Sequence, residues 1–179
     1  KVPDGTFSCQ EQAQKECHAP VSEKPPSRIS PHVPRTAAGK ESMKDSNCIF
    51  CKIANGEIPS RTIYEDEKFR VILDLGPATK GHALILPKEH YANLFAMPEE
   101  LAADAMKLAK KIAAMQKEKL HADGLNLVQN NGTVAGQTVE HFHIHLIPRY
   151  ENDGQTIGWK PGKPTPEELD ETCRELTEN

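Results

Sequence analysis

Three histidines alternate with apolar residues in the run His141-Phe142-His143-Ile144-His145-Leu146-Ile147. No other stretch restricts the fold so tightly. A period of two belongs to a β-strand with two unlike faces. Phe142, Ile144 and Leu146 then bury one face, and three imidazoles stand in a row on the other. Just upstream, Asn130 to Val139 is a polar, glycine-containing loop. Such a loop lets backbone N–H groups approach an anion closely. A histidine row beside it points to phosphorus chemistry, with one His as nucleophile and its neighbours in support. Two readings compete with this: a surface strand that happens to carry histidines, and a metal tripod. At about 3.3 Å per residue, His141 and His145 start about 13 Å apart, too far for one ion with bonds of about 2.0–2.1 Å. Two of the three can still share a metal.

Other residues carry chemistry only in context. Cys48-x-x-Cys51 is either a redox pair, for which a βαβ pattern is expected, or half a zinc site. His90 follows Pro87-Lys88-Glu89 at a strand end. Asp74 closes an apolar strand, where an acid either begins a turn or accepts ribose hydroxyls, as in dinucleotide folds. Phe50 and Ile49 suit a base pocket or the core equally. His82 and His121 read as ordinary strand and helix-end residues.

The coarse element order is helix, strands, helix, strands. Ser46 or Asn47 caps a short helix to about Ala54, stopped by Asn55-Gly56. Strands are expected at 62–65, 69–74, 82–87, 124–129 and 141–148. Pro98 opens the one long helix, with Glu99 and Glu100 in its first turn. Leu101, Ala105, Leu108, Ile112 and Met115 form its buried stripe, and Met106 and Met115 read as packing residues. The pattern predicts an α+β domain: an antiparallel five-stranded sheet with two helices.

Composition narrows the class. Residues 1–44 hold six prolines and few large apolar side chains, a mixture that cannot offset its ordering entropy, so a disordered extension is expected. Met43 is a candidate natural start, with the upstream part then foreign to the native chain; the residues leave both open. The formal net charge of −4 gives no electrostatic reason for a polymeric nucleic-acid partner. No apolar stretch approaches the roughly 18 residues of a membrane helix, and no signal pattern opens the chain. Five cysteines do not read as a disulfide framework. A cytoplasmic protein without a membrane partner is expected.

The ordered set of motifs resembles the histidine triad family. It comprises Cys48-Ile49-Phe50-Cys51, Gly56-Glu57-Ile58-Pro59, Tyr64-Glu65-Asp66-Glu67, Leu73-Asp74-Leu75, Gly81-His82 through Lys88-Glu89-His90, and Gly136-Gln137-Thr138 entering the triad. The likeness spans about residues 46–160 and is greatest to small bacterial zinc-containing members. It implies a histidine triad domain over 45–179 with a variable C-terminal segment from about 150. It implies a homodimer that hydrolyses purine nucleoside phosphoramidates or dinucleoside polyphosphates through a nucleotidyl-histidine. The alternative is a nucleotide-binding regulatory or interaction module with incidental hydrolysis. His143 maps onto the family nucleophile, its tautomer fixed by a backbone carbonyl, and His145 onto the phosphate-contacting partner. Phe50, Asp74, Leu75, Asn130, Gly136, Gln137 and Thr138 map onto nucleotide contacts, with the Gln137 side chain and the 136–138 amides on phosphoryl oxygens. Cys48, Cys51, His90 and His141 map onto a closed, structural Zn²⁺ site. Trp159 falls in the segment that family dimers place near the partner's site.

Overall fold

Which side of each strand is apolar decides the architecture, and the computed structural model describes residues 44–178. Expectations for the N-terminal 43 residues lie outside the described residues. The chain runs α1 (Ile49–Ala54), β1 (Thr62–Glu65), β2 (Phe69–Leu73), β3 (Ala83–Pro87), α2 (Glu99–Leu120), β4 (Gly124–Val128), β5 (Ile144–Arg149) and α3 (Pro166–Thr177). Short 3₁₀ turns sit at Leu94–Ala96 and Thr133–Ala135. The five strands form one antiparallel sheet in the order β1-β2-β3-β5-β4.

Alternation along the strands gives the sheet two covered faces. Phe69, Val71, Ala83, Ile85, Ile144 and Leu146 pack with Ala105, Leu108, Ala109 and Ile112 of α2. On the opposite face, Ile72, Leu84 and Leu86 pack with Ala54, Phe50 and Ile53 of α1. At roughly 25 cal/mol per Å² of buried apolar area, this two-sided burial is the main force holding the sheet. The expected α2 stripe is present, with Leu101 and Met115 partly buried at its ends. Met106 differs: it is 52% exposed, on the helix's outer side.

Three local features depart from expectation. The cap of α1 is Cys48, whose Sγ accepts the Cys51 N–H. β5 begins at Ile144 rather than His141. The reason lies in the partner strand. Ile85 pairs with Ile144, so continuing the register would set His143 against Leu86 and then Phe142 against Pro87, which has no N–H to offer. Phe142 instead donates its N–H to Tyr91 O at 2.6 Å. Finally, there is a third α-helix beyond the expected two. α3 begins with Thr165, Pro166 and Glu168 in a complete capping box and carries no buried residue. No helix among the described residues is long and apolar enough to cross a membrane.

Candidate active site and metal centre

Four of the predicted ligands converge. The first turn of α1 supplies Cys48 and Cys51, the exit of β3 supplies His90, and the approach to β5 supplies His141. Their ligand atoms all lie within 4.8 Å of one another. Cys51 Sγ is 3.4 Å from His90 Nδ1 and 3.5 Å from His141 Nδ1, and Cys48 Sγ is 3.5 Å from His141 Nδ1. A sulfur and a nitrogen bound to one tetrahedral Zn²⁺ at their usual bond lengths lie about 3.5 Å apart. These three separations match those of ligands on one tetrahedral ion. His141 is oriented for this: its Nε2–H donates to Pro87 O at 3.0 Å, which leaves the Nδ1 lone pair facing the sulfurs. Burial pushes the Cys51 thiol up to about 11 and the His141 imidazole down to about 4. Both shifts favour neutral groups, and a cation between them favours the thiolate. Asn55 Nδ2 bonds Cys51 O and Lys88 O at 2.9 Å each, joining α1 to the loop that carries His90.

Two residues on, the backbone turns His143 toward a cavity. His143 Nδ1 lies 2.7 Å from His141 O. A carbonyl only accepts, so Nδ1 carries the hydrogen and Nε2 keeps a lone pair. Burial lowers the His143 pKa, keeping the ring neutral. The Phe50 ring meets it edge-on, with centroids 5.1 Å apart.

The third histidine is fixed by His82, which by sequence is an ordinary strand residue. Ala78 N–H donates to His82 Nδ1 at 3.1 Å. His82 must then carry its hydrogen on Nε2, which lies 2.9 Å from His145 Nδ1. His145 Nδ1 therefore accepts, and His145 presents Nε2–H. Burial pushes its pKa down to about 4, so the ring is a neutral donor. Asp74 Oδ2 lies 3.7 Å from His82 Nε2, and Asp74 Oδ1 accepts the Gly76 N–H at 2.8 Å. Asp74, His82 and His145 have metal-like proximity, but the hydrogen on His82 Nε2 occupies the position a cation would need. Moving it to Nδ1 would set two donors, that ring N–H and Ala78 N–H, against each other. The available signal for His82 was a histidine opening an otherwise apolar strand beside the triad strand.

The cavity, about 390 Å³, lies between α1, the loop before β1 and the end of β2. Of the predicted residues, Phe50, Asp74, Leu75, Thr138, His143 and His145 line it. Leu75 is 84% exposed at its rim. Asn130, Gly136 and Gln137 stand outside this wall. The Gln137 side chain is buried, and both its amide nitrogen and its oxygen are hydrogen-bonded to backbone groups. Nε2 donates to Ala92 O at 2.6 Å and Val139 O at 2.9 Å, and Oε1 accepts the Gly132 N–H at 2.8 Å. The N–H groups of Gly136 and Gln137 bond Thr133 O and Gly132 O. In this arrangement Gln137 braces the loop, and Thr138 is the loop residue on the cavity wall. Gly136 holds φ +86°, and a Cβ there would come within 3.6 Å of Asn130 Nδ2, so Asn130 packs behind the turn.

The HIT domain model matches residues 55–152. A HIT-like protein of Methanocaldococcus jannaschii is 48% identical over 129 residues, covering 72% of this chain and 98% of the relative. An adenosine 5'-monophosphoramidase of Saccharomyces cerevisiae is 40% identical over 148 residues, covering 82% and 91%. A Zn-bound histidine triad family protein of Mycobacterium smegmatis superposes with a TM-score of 0.59 at 42% identity, covering 64% of this chain and 84% of that one. With its sheet, its triad and these relatives in agreement, the chain belongs to the HIT (histidine triad) family.

Proposed function

We propose that this protein binds a purine nucleotide in the cavity and hydrolyses its α-phosphorus linkage, acting on nucleoside phosphoramidates or dinucleoside polyphosphates. The observation that carries this reading is the His143 geometry: Nδ1–H held by the His141 carbonyl, Nε2 free, and the ring neutral in the cavity wall. A neutral imidazole near pH 7 is a competent nucleophile at phosphorus. Nε2 attacks, a P–N bond to His143 forms, and the bond to the leaving amine or phosphate breaks. The leaving atom keeps the bonding electrons and takes a proton from solvent. Water then attacks the nucleotidyl-histidine, a P–O bond forms, the P–N bond breaks and the water proton returns to solvent. His145 donates its Nε2–H to the phosphoryl oxygens, and Thr138 lies on the same wall for a further hydrogen bond. Fixed donors of this kind stabilise charge that shifts in the transition state. Asp74 accepts the ribose hydroxyls, and Phe50 and Leu75 flank the base.

In the same reading, Cys48, Cys51, His90 and His141 hold one Zn²⁺. When bound it supplies a structural cross-link, since four protein ligands leave no position for substrate. Support comes from the 3.4–3.5 Å separations and from the Zn-bound relative. The chain is further read as a homodimer. β4 is an edge strand, and its Leu127 and Met106 of α2 are exposed, an apolar strip of the kind that marks an interface.

The direct functional test is turnover. Incubation with adenosine 5'-phosphoramidate and a diadenosine polyphosphate, followed by phosphorus NMR, should show AMP released from at least one. Tight nucleotide binding with no product from either would leave the binding-module alternative standing instead.

A further inference from the structure

Alternation along β2 sends Arg70 to the same face as Ile72, the face that α1 covers. A cation on a covered face is costly unless it is paired. The Arg70 side chain is 14% exposed, and its fork reaches two elements. Nη1 donates to Ile53 O at 2.9 Å, in the last turn of α1, where carbonyls lack a partner within the helix. Nη2 lies 2.8 Å from each Glu65 carboxylate oxygen on β1. Gly56 holds φ +84°, and a Cβ there would lie 3.3 Å from Nη1 and from Nη2, so the chain leaving α1 fits closely over the guanidinium. Glu65 carries the link further. Its Oε1 also pairs with Lys88 Nζ at 2.7 Å, and Lys88 stands just before Glu89 and His90. Arg70 and then Lys88 hold the Glu65 carboxyl down at about 2, so it stays ionised.

One carboxylate therefore ties α1, beside Cys48 and with Cys51 in its first turn, to the segment that carries His90. Those elements supply Cys48, Cys51 and His90 to the cluster, to which none of the three clamp side chains belongs. We infer that Arg70 is a positioning residue for this metal centre. By bridging Ile53 O and Glu65 it holds α1 against the His90 segment, so that the ligands stand preassembled for the ion. The inference rests on the zinc reading of the cluster and adds a residue outside it on which metal affinity depends.

Competition for zinc between the full chain and a chromophoric chelator tests it. Run well below the melting point of every metal-free variant, the titration reads affinity per folded molecule. Arg70→Met should bind zinc about tenfold more weakly than the wild type, the lower end for groups that orient metal ligands without touching the metal. The lower end applies because Asn55 joins the same two segments. Arg70→Lys should recover little, since one ammonium cannot span Ile53 O and both Glu65 oxygens as the planar fork does. Glu65→Gln cuts the same tie at its other end and should weaken zinc binding in the same direction, which keeps the test decisive if Arg70→Met does not fold. Ile112→Val, in the core on the opposite face of the sheet, should lower the melting temperature and leave zinc affinity unchanged. Wild-type zinc affinity in Arg70→Met or Glu65→Gln would overturn the inference. So would full recovery in Arg70→Lys, or an equal loss in Ile112→Val. If the wild type takes up no zinc, the zinc reading itself fails and the positioning role with it.

Discussion

At the scale of single residues, the site works by deciding where hydrogens sit. Two backbone groups, the His141 carbonyl and the Ala78 amide, set the tautomers of His143 and of the His82–His145 pair. His82→Ala should leave KM nearly unchanged and lower kcat by about a hundredfold, the lower end for groups that manage protons. An equal loss in nucleotide affinity would mean that His82 acts on binding. Asp74→Ala should weaken ribonucleotide binding by about 1.5–3 kcal/mol, the range for hydrogen bonds to a charged group. A 2',3'-dideoxynucleotide should not respond to the change. The pH profile follows from burial, which lowers the His143 pKa and pushes His145 down to about 4. Burial disfavours imidazolium, so the reactive neutral rings persist below the ordinary histidine value of about 6.5. The acid limb of kcat/KM should therefore lie below pH 6.5. A limb centred at or above that value would contradict this account of the environment.

Elements show what the sequence could and could not disclose. The Cys48, Cys51, His90 and His141 cluster was foreseeable because a C-x-x-C spacing, a strand-end histidine and a triad histidine are each local marks, which the family resemblance tied into one set. The strand faces were legible because alternation survives burial: Ile144 and Leu146 face α2, and His145 faces the cavity. The start of β5 was not, since it depends on Pro87 in another strand failing to donate. The role of Gln137 was hidden for the same reason, because Ala92 and Val139 reach it only in the folded chain. His82 was a lone histidine until the sheet placed it beside His145. The missed α3 did carry a signal, the Thr165-Pro166-Glu167-Glu168 capping pattern. Two predictions belong here. Gln137→Ala should destabilise the fold by about 1–3 kcal/mol in a denaturant melt, because it leaves buried loop groups unpaired. A loss of phosphate affinity without a loss of stability would restore Gln137 to the phosphate site. Cys48→Ser should release zinc, read by elemental analysis, and lower the melting temperature by several degrees, with each kcal/mol shifting it by about 2–8 °C in a domain of this size. Catalysis per folded molecule should fall less than stability, because the metal position is closed to substrate.

For the molecule as a whole, one run of sequence serves two centres. His141 turns into the Cys48–Cys51–His90 cluster, and its carbonyl orients His143, which faces the cavity. The α1 helix joins both, with Cys51 in the cluster and Phe50 against the His143 ring. The Cys/His cluster, the position of α1 and the cavity wall are therefore mechanically linked. Association should follow the exposed strip along β4 and α2. Sedimentation equilibrium should give twice the 19.8 kDa chain mass, and Leu127→Asp should return it to the monomer value. The central claim is that His143 becomes covalently nucleotidylated. Rapid acid-free quenching during turnover, followed by intact-protein mass spectrometry and peptide mapping, tests it most directly. The account predicts one added nucleoside monophosphate on the wild type, mapped to His143, and none on His143→Ala, which should still bind nucleotide and lack turnover. Wild-type turnover by His143→Ala, or a nucleotidyl group mapped to another residue, would contradict it.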